Sequence, residues 1–305
     1  MYTSQARNDF ARLRMRETIG RILSLLNARK NEMLSLGEVR ALLRPKSETY
    51  RGMRAVPIDA IVGSEGSYRD FNHAFLPRHD KLMKRWIRVD LAHYQNIVLP
   101  PIKLFEIGGV YFVRDGNHRV SVAKAQRTAF IDAEVISLST EIAIEPGMTI
   151  EDLKRKVLDF ERRMFFEETR LDTLRPGCSL AFSEVGRSEE VLSHIREHKW
   201  FLNLGKAEEM PFPQAATSWY DAVYSPIAAI IRESRLLSRF PGATEADLYV
   251  FIGKHWGELN RRYGPLFTLE EAAEDFSARP GIRPRAGILK TISQRLAARF
   301  APGRR

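Results

Sequence analysis

Apolar residues over residues 4–45 are spaced mostly as they are on one face of a helix. The stripe consists of Phe10, Leu13, Ile19, Ile22, Leu23, Leu25 and Leu26. Asn31 or Ser35 is in position to begin a second helix. We therefore predict an N-terminal helical segment, and we predict that residues 44–54 form a connection.

Residues 55–150 have a different pattern, in which short apolar runs alternate with turn residues. Two β-rich runs, "IKLFEI" and "VYFV", flank Gly108-Gly109, and two glycines between such runs are typical of a tight hairpin. The segments "AVPIDAIVG" and "FIDAEVISL" are predicted strands, and "KLMKRWIRVDLAHYQN" has helical spacing. We therefore predict a small α/β unit that is rich in hairpins.

The C-terminal half of the chain is mainly helical in pattern. Thr149 with Asp152, and Thr244 with Asp247, match the capping box, in which each side chain bonds the other residue's backbone N–H at a helix start. The segment "SLAFSEVG" (179–186) is predicted to be a strand within this helical region.

Together these patterns predict an α+β protein in four parts. A small mixed α/β domain is flanked by an N-terminal helical segment and by a mainly α-helical C-terminal region. The predicted boundaries are 1–50 for the N-terminal segment, 51–145 for the α/β domain, 146–276 for the helical domain and 277–305 for a basic linker and amphipathic tail.

The composition is that of a globular protein, because 44% of the 305 residues are hydrophobic and 28% are charged. No run of about 18 apolar residues occurs, so no membrane span is expected. The first residues mix arginines with acids and lack the apolar core of a secretory signal. Cys178 is the only cysteine, which excludes an intrachain disulfide and fits a reducing compartment. We therefore expect a cytoplasmic protein without an integral membrane segment.

The net charge of +10 is concentrated at the C-terminus. Residues 276–305 hold eight Lys or Arg and no acid, so they contribute +8 and leave +2 for residues 1–275. Such a tail binds nucleic-acid phosphates, lies on an anionic membrane, or is a solvated or partner-docking terminus, and these three interpretations remain open. The candidate nucleic-acid contacts are Arg283, Arg285, Lys290, Arg295 and Arg299.

In "VYFVRDGNHRVSVAKAQ" (110–126), a strand-like run meets Asp-Gly-Asn-His-Arg, and a helical pattern follows. The N–H groups at a helix start carry partial positive charge and bind anions. Gly116 permits a sharp turn or a close approach to a ligand, Arg119 offers a planar fork to a phosphate, and His118 donates a hydrogen bond or carries a proton. Asp115 is a candidate for binding Mg²⁺ or a ribose hydroxyl, or for orienting its neighbours. The alternative is an ordinary Asp-Gly turn before a helix.

The longer segment "LPPIKLFEIGGVYFVRDGNHRVSVAKAQ" resembles the ParB/sulfiredoxin superfamily. That fold pairs an upstream strand with a hairpin and with a Gly-x-x-Arg turn that opens a helix. The stretch "VPIDAIVGSEGSYRDF" (56–71) stands where the upstream strand belongs, and the resemblance covers roughly residues 54–138. It implies that the turn binds nucleotide phosphates. The matching positions are Gly116, Asn117, His118 and Arg119.

Within this superfamily, the chromosome-partitioning branch has a Gly-x-Arg-Arg turn and uses CTP as a switch on DNA. His118 makes the present turn more similar to the Gly-x-His-Arg form of sulfiredoxin and the Asp-Gly-His-His-Arg form of the free-serine kinases. Asn117 stands where sulfiredoxin has its cysteine, so that redox chemistry is not expected. The kinase form differs only at Asn117, so the resemblance carries its roles over to Asp115, Gly116, His118 and Arg119.

The resemblance therefore implies a nucleotide-binding protein, and its kinase branch implies a phosphotransferase that uses ATP, ADP or CTP with Mg²⁺. A kinase needs a base near the acceptor hydroxyl, and Glu65 and Asp70 in the polar loop are the candidates. Arg69 and Arg78 are candidate phosphate contacts, although all four residues equally fit a solvated loop. The predicted catalytic set is Asp115, His118, Glu65 and Asp70, with Asp115 also the candidate magnesium ligand.

Two further hypotheses remain. The first is a ParB-like DNA-binding regulator that uses a nucleotide as its switch and the basic tail for DNA contacts. The second is a catalytically silent interaction protein that keeps the fold. The C-terminal helical region resembles a bacterial domain of unknown function, which names no activity, and nothing in the sequence indicates the oligomeric state.

Overall fold

The computed structural model describes residues 2–23, 32–178, 180–264 and 267–278. These residues form an α+β protein with a mixed six-stranded sheet, as the sequence predicts. The chain divides into two compact units, the first ending at Val157 and the second beginning at Leu158. Within the described ranges, no helix is both long enough and apolar enough to cross a membrane.

The first unit contains the sheet and the helices that cover it. Its elements are α1 (Tyr2–Leu23), β1 (Leu34–Ser35), α2 (Leu36–Leu43), β2 (Glu48–Pro57), β3 (Ile61–Ser64), α3 (Met83–Tyr94), β4 (Ile102–Ile107), β5 (Val110–Asp115), α4 (Asn117–Ala125) and β6 (Phe130–Leu138). Single 3₁₀ turns precede β3 at Ile58–Ala60 and α3 at Asp80–Leu82. Helix α5 (Ile150–Thr169) spans the boundary between the two units.

The strands follow the order β1-β3-β5-β4-β6-β2 across the sheet. The pairs β1–β3, β3–β5 and β4–β6 are parallel, whereas β4–β5 and β2–β6 are antiparallel. Ile107 pairs with Val110 around Gly108 and Gly109, whose φ angles are +60° and +89°. Two consecutive residues with positive φ form the hairpin turn that suits the twist of a sheet, so the predicted hairpin is confirmed.

Strand β2 corrects the prediction that residues 44–54 form a connection. Glu48–Pro57 pairs with β6 along its whole length, and eight of its ten residues are exposed. A strand exposed on both faces has no apolar alternation, so the sequence pattern does not reveal it. The strand predicted over residues 55–63 is also wrong in its bounds, because it comprises the end of β2, a 3₁₀ turn and β3.

The core of the first unit lies between the sheet and helices α1, α3 and α4. Phe10 of α1 packs on Trp86 of α3, with ring centroids 5.7 Å apart, in the cluster that also contains the inner residues of β4 and β5. Trp86 Nε1 donates to Ser121 Oγ at 2.9 Å, and that hydroxyl donates to the Phe75 carbonyl at 2.7 Å. This buried chain of hydrogen bonds ties α3, α4 and the loop between β3 and α3 together, because each of these buried polar groups finds a partner.

The second unit is mainly helical. Its elements are α6 (Leu171–Leu174), α7 (Arg187–Asn203), α8 (Phe212–Trp219), a π-helical segment (Tyr220–Tyr224), α9 (Ser225–Glu233), a 3₁₀ turn (Leu236–Arg239), α10 (Glu245–Tyr263) and α11 (Leu269–Ala278). Both predicted capping boxes are present: Thr149 and Asp152 bond reciprocally at the start of α5, and Thr244 and Asp247 do so at the start of α10.

The strand predicted at residues 179–186 is wrong, since residues 180–186 form irregular structure. Carboxylate side chains accept the hydrogen bonds from backbone N–H groups that a neighbouring strand would otherwise accept. The Ser183 N–H donates to the Asp247 carboxylate, and the Gly186 N–H donates to the Glu161 carboxylate at 2.9 Å. Backbone donors satisfied in this way need no sheet.

Candidate functional site

The candidate site lies at the edge where β3 and β5 end. These strands run parallel and side by side, with Ser64 paired to Val113, so the segments that follow them leave the sheet at the same edge. The Glu65 N–H donates to the Val113 carbonyl at 2.9 Å. The 65–79 loop, which connects β3 to the turn before α3, therefore starts beside the turn that connects β5 to α4.

Gly116 makes the turn between β5 and α4. Its φ is +111°, a value that residues with a side chain rarely adopt, and a Cβ placed there would lie 2.4 Å from Ile102 Cγ2. No side chain caps α4, and its first backbone bond runs from the Val120 N–H to the Gly116 carbonyl at 3.0 Å. The earlier N–H groups of the helix have no partner among the described residues. An uncapped helix start of this kind attracts anions.

Arg119, the predicted phosphate contact, bonds backbone and side-chain acceptors of the protein itself. Its Nη1 donates to the carbonyls of Pro100 and Pro101, the latter at 3.0 Å, and its Nη2 donates to the Asp115 carboxylate at 2.7 Å. The side chain is 17% exposed. Through these contacts Arg119 fixes the turn to the 100–101 segment.

Asp115, the predicted magnesium ligand, is held by the same contact. Its carboxylate is half exposed and pairs with Arg119, so a cation bound there would compete with the guanidinium. In the described ranges, no three His, Cys, Asp or Glu side chains are grouped as metal ligands. The residues present therefore do not form a magnesium site of their own.

His118 points towards the 65–79 loop and stacks edge-on against Phe71, with ring centroids 5.3 Å apart. Burial is the main reason that its pKa falls to about 4, the nearby Arg85 cation lowers this pKa further, and Asp70 acts in the opposite direction. The imidazole is therefore neutral at pH 7. A neutral ring donates or accepts a hydrogen bond but is a weak proton donor, which limits the predicted role in proton transfer.

Two buried polar atoms of this turn, Asn117 Oδ1 and His118 Nδ1, have no hydrogen-bond partner among the described residues. Buried polar atoms are normally paired, and an unpaired one raises the free energy of the folded state. Neither atom is exposed to solvent, so a ligand reaches them only if the groups that cover them move.

The 65–79 loop presents mostly charged and aromatic groups. Asp70 pairs with Lys81 at 3.0 Å, and the Arg78 N–H donates to the Asp70 carbonyl at 2.8 Å. The Arg69 guanidinium lies over the Tyr68 ring, 5.6 Å from its centroid, and Glu65 is exposed at the start of the loop.

The structure thus brings Asp70 close enough to act on His118, and it links Arg78 to Asp70 through a backbone hydrogen bond. Glu65 and Asp115 follow neighbouring strand ends. Arg69 lies on Tyr68, and Arg119 lies on the far side of the turn, against Pro101. The five tail residues predicted to contact nucleic acid, Arg283, Arg285, Lys290, Arg295 and Arg299, lie outside the described residues.

The sequence analysis missed Lys81 and Arg85, whose charges border His118 and Asp70. They occur four residues apart, so they share one face of the helical segment around α3, opposite in character to the apolar stripe. That four-residue spacing was the signal in the sequence that could have identified Lys81 and Arg85. Its relevance depends on α3 packing beside α4, which no local pattern indicates.

A cavity of about 260 Å³ lies on the other side of the turn, beside Arg119. Most of its wall is apolar and comes from α3, the 97–102 segment, α4 and β6. The polar groups that line it are His93, Arg119, Thr128 and Asp132. Because Arg119, Val122 and Ala123 of α4 line it, it is a concave surface available to the apolar part of a ligand bound at the start of that helix.

Comparison with protein-family models, with curated proteins and with solved structures gives no match for this chain. The functional argument therefore rests on the geometry of the turn and its surroundings.

Proposed function

We propose that the first unit binds a nucleotide of the kind that the ParB/sulfiredoxin resemblance implies, with its phosphates against the start of α4. The observation that carries the proposal is the uncapped start of α4 at Gly116, flanked by two buried polar atoms without partners. A phosphate accepts hydrogen bonds from the N–H groups, and a ribose or acceptor hydroxyl donates to the Asn117 oxygen.

The charge around the turn supports an anionic ligand. Arg85 and Lys81 provide fixed positive charge beside His118, and a bound phosphate raises the pKa of that ring by direct attraction. Arg119 contributes indirectly, because it holds the turn against the 100–101 segment. In this proposal Mg²⁺ is bound by the phosphates of the nucleotide.

Calorimetry with ATP, ADP and CTP, each with Mg²⁺, tests nucleotide binding. The variant Arg85→Gln removes an exposed positive charge that acts on His118, and we expect roughly a tenfold loss of affinity. Lys84→Gln is the matched control, since Lys84 is also exposed but lies roughly 100° around α3. Absence of binding by the wild-type protein would contradict the proposal, as would equal losses in the two variants.

A phosphotransferase is the enzymatic form of this proposal. Glu65 is the better placed candidate base, because it is exposed beside the strand ends, whereas the Asp70 carboxylate is paired with Lys81. Small hydroxyl compounds incubated with ATP or ADP should show turnover that Glu65→Gln abolishes without loss of nucleotide affinity. Binding without turnover would leave a nucleotide switch or a silent binding protein as the function.

DNA binding is the second candidate, and the charge distribution favours it, since residues 276–305 contribute +8 of the net +10. Electrostatic binding to phosphates weakens steeply with salt. We expect a salt-dependent mobility shift of duplex DNA by the full chain and its loss when residues 277–305 are deleted. An unchanged shift after this deletion would exclude the tail as the DNA contact.

A further inference from the structure

Among the described residues, strand β2 is the last strand of the sheet and pairs on one side only, with β6. Tyr50 and Met53 are its large apolar residues, and their side chains are 65% and 55% exposed. A ten-residue edge strand with exposed apolar side chains is a surface on which another strand can pair.

Two hydrogen bonds fix which backbone groups of β2 face away from β6. The Ser139 N–H donates to the Ser47 carbonyl, and the Ile58 N–H donates to the Ala129 carbonyl, both at 3.0 Å. Backbone groups alternate between the two edges of an antiparallel strand, so counting inwards from both ends identifies the outward residues. The outward residues whose N–H has no partner in the part of the chain that the structure describes are Glu48, Tyr50, Met53 and Ala55. Pro57, which has no N–H to leave unpaired, is also outward, in agreement with its preference for strand edges.

The spacing of these outward residues is irregular because β2 contains a bulge. The register with β6 shifts between Tyr50 and Gly52, and Gly52 has a φ of +74°. The intervals from Glu48 to Ala55 are therefore two, three and two residues. This order of intervals is the same when it is read from either end, so a second copy of β2 that runs antiparallel to the first has matching spacing. A regular strand, in which every second residue faces outward, does not match it.

We propose that β2 is a self-association edge, along which two copies of the chain pair antiparallel across a two-fold axis at the 51–52 peptide. In this register Tyr50 lies opposite Met53 of the second copy, and Met53 lies opposite its Tyr50. The residues paired with them on β6, Ile136 and Glu134, are two apart, so both side chains are on one face of the sheet. The two-fold axis therefore gathers four exposed apolar side chains into one cluster.

The same register keeps like charges from lying directly opposite each other. Arg51 faces Gly52 of the second copy, Arg54 faces Thr49, and Glu48 faces an alanine, which avoids the like-charge pairs that destabilise a sheet. The two Arg51 side chains still approach the axis from both copies. Added salt screens this repulsion, so the dimer should become tighter as the ionic strength rises.

Arginines and a bulge on an edge strand also serve in other proteins to prevent pairing. The symmetric spacing and the facing Tyr50 and Met53 favour pairing here. A single strand edge buries less surface than a standard interface, so the dimer should be weak and concentration-dependent.

Analytical ultracentrifugation of the full chain over a wide range of concentrations tests the proposal. We expect a monomer–dimer equilibrium for the wild type and a monomer for Tyr50→Glu, for Met53→Lys and for Ala55→Pro, which removes an outward N–H. The double variant Tyr50→Glu/Met53→Lys should recover the dimer, because the two introduced charges are opposite across the axis. These residues are exposed, so circular dichroism and thermal melting should be unchanged in the first two variants.

Trp200→Lys is the control for a different interface, because Trp200 is 66% exposed on α7 of the second unit. It should leave the β2 dimer intact. A wild type that is monomeric at every concentration would overturn the proposal. A dimer that survives both Tyr50→Glu and Ala55→Pro, or one that Trp200→Lys abolishes, would also overturn it.

Discussion

Gly116 meets two separate requirements, a positive φ and the absence of a Cβ beside Ile102. Gly109 offers a comparison, because its φ is also positive, at +89°, but a Cβ there would have open space around it. We expect Gly109→Ala to lower the free energy of unfolding by about 1 kcal/mol through backbone strain alone. Gly116→Ala should cost at least about 2 kcal/mol, because the clash adds to the strain. Urea unfolding of both variants measures the difference, and equal costs would mean that Ile102 yields freely.

Protonation of His118 makes the stability of the folded protein depend on pH. Its pKa is about 4 in the folded protein, against about 6.5 for the unfolded chain, so the unfolded state binds the proton first as the pH falls. The stability that its neutral form provides is therefore complete above pH 6.5 and is lost between pH 6.5 and about 4. We expect His118→Gln to lose less stability than the wild type between pH 7 and pH 5 in urea unfolding. The exposed His79→Gln should behave as the wild type, and identical pH profiles for all three proteins would show that His118 is not the group responsible.

Among the elements, α4 depends on Arg119 for its connection to the 100–101 segment. Arg119→Lys keeps the charge but loses the fork that bonds two carbonyls and the Asp115 carboxylate. We expect a loss of about 1.5–3 kcal/mol in the free energy of unfolding. Arg127→Lys, at an exposed position just after α4, should change it by less than about 0.5 kcal/mol. A neutral Arg119→Lys would return Arg119 to the list of free phosphate-binding groups.

The elements that the sequence predicts well are those specified by local chemistry. Two adjacent glycines determine the hairpin, and Thr–Asp pairs three residues apart determine the starts of α5 and α10. Strand β2 was missed because it is held by its pairing with β6 and not by an apolar face. The position of the turn between β5 and α4 was also predicted, since an Asp-Gly pair is a local turn signal.

At the scale of the whole molecule, the site draws on segments that are distant in sequence. His118 meets Phe71 and the charge of Arg85 because β3 lies beside β5 and α3 packs on α4. The sequence identified the residues of the turn, but it does not reveal that two proline carbonyls lie within reach of the Arg119 guanidinium. Long-range packing decides which side chains remain available for a ligand.

The most direct test of the nucleotide site is an amide NMR titration of the full chain with ATP, ADP and CTP. The account predicts saturable shifts of the Asn117, His118 and Arg119 amides with at least one nucleotide, accompanied by a rise in the pKa of His118 and by shifts within the 65–79 loop. Arg85→Gln should weaken this response and Lys84→Gln should not. Amides at the start of α4 that remain unshifted by every nucleotide, or shifts confined to other parts of the chain, would contradict the account.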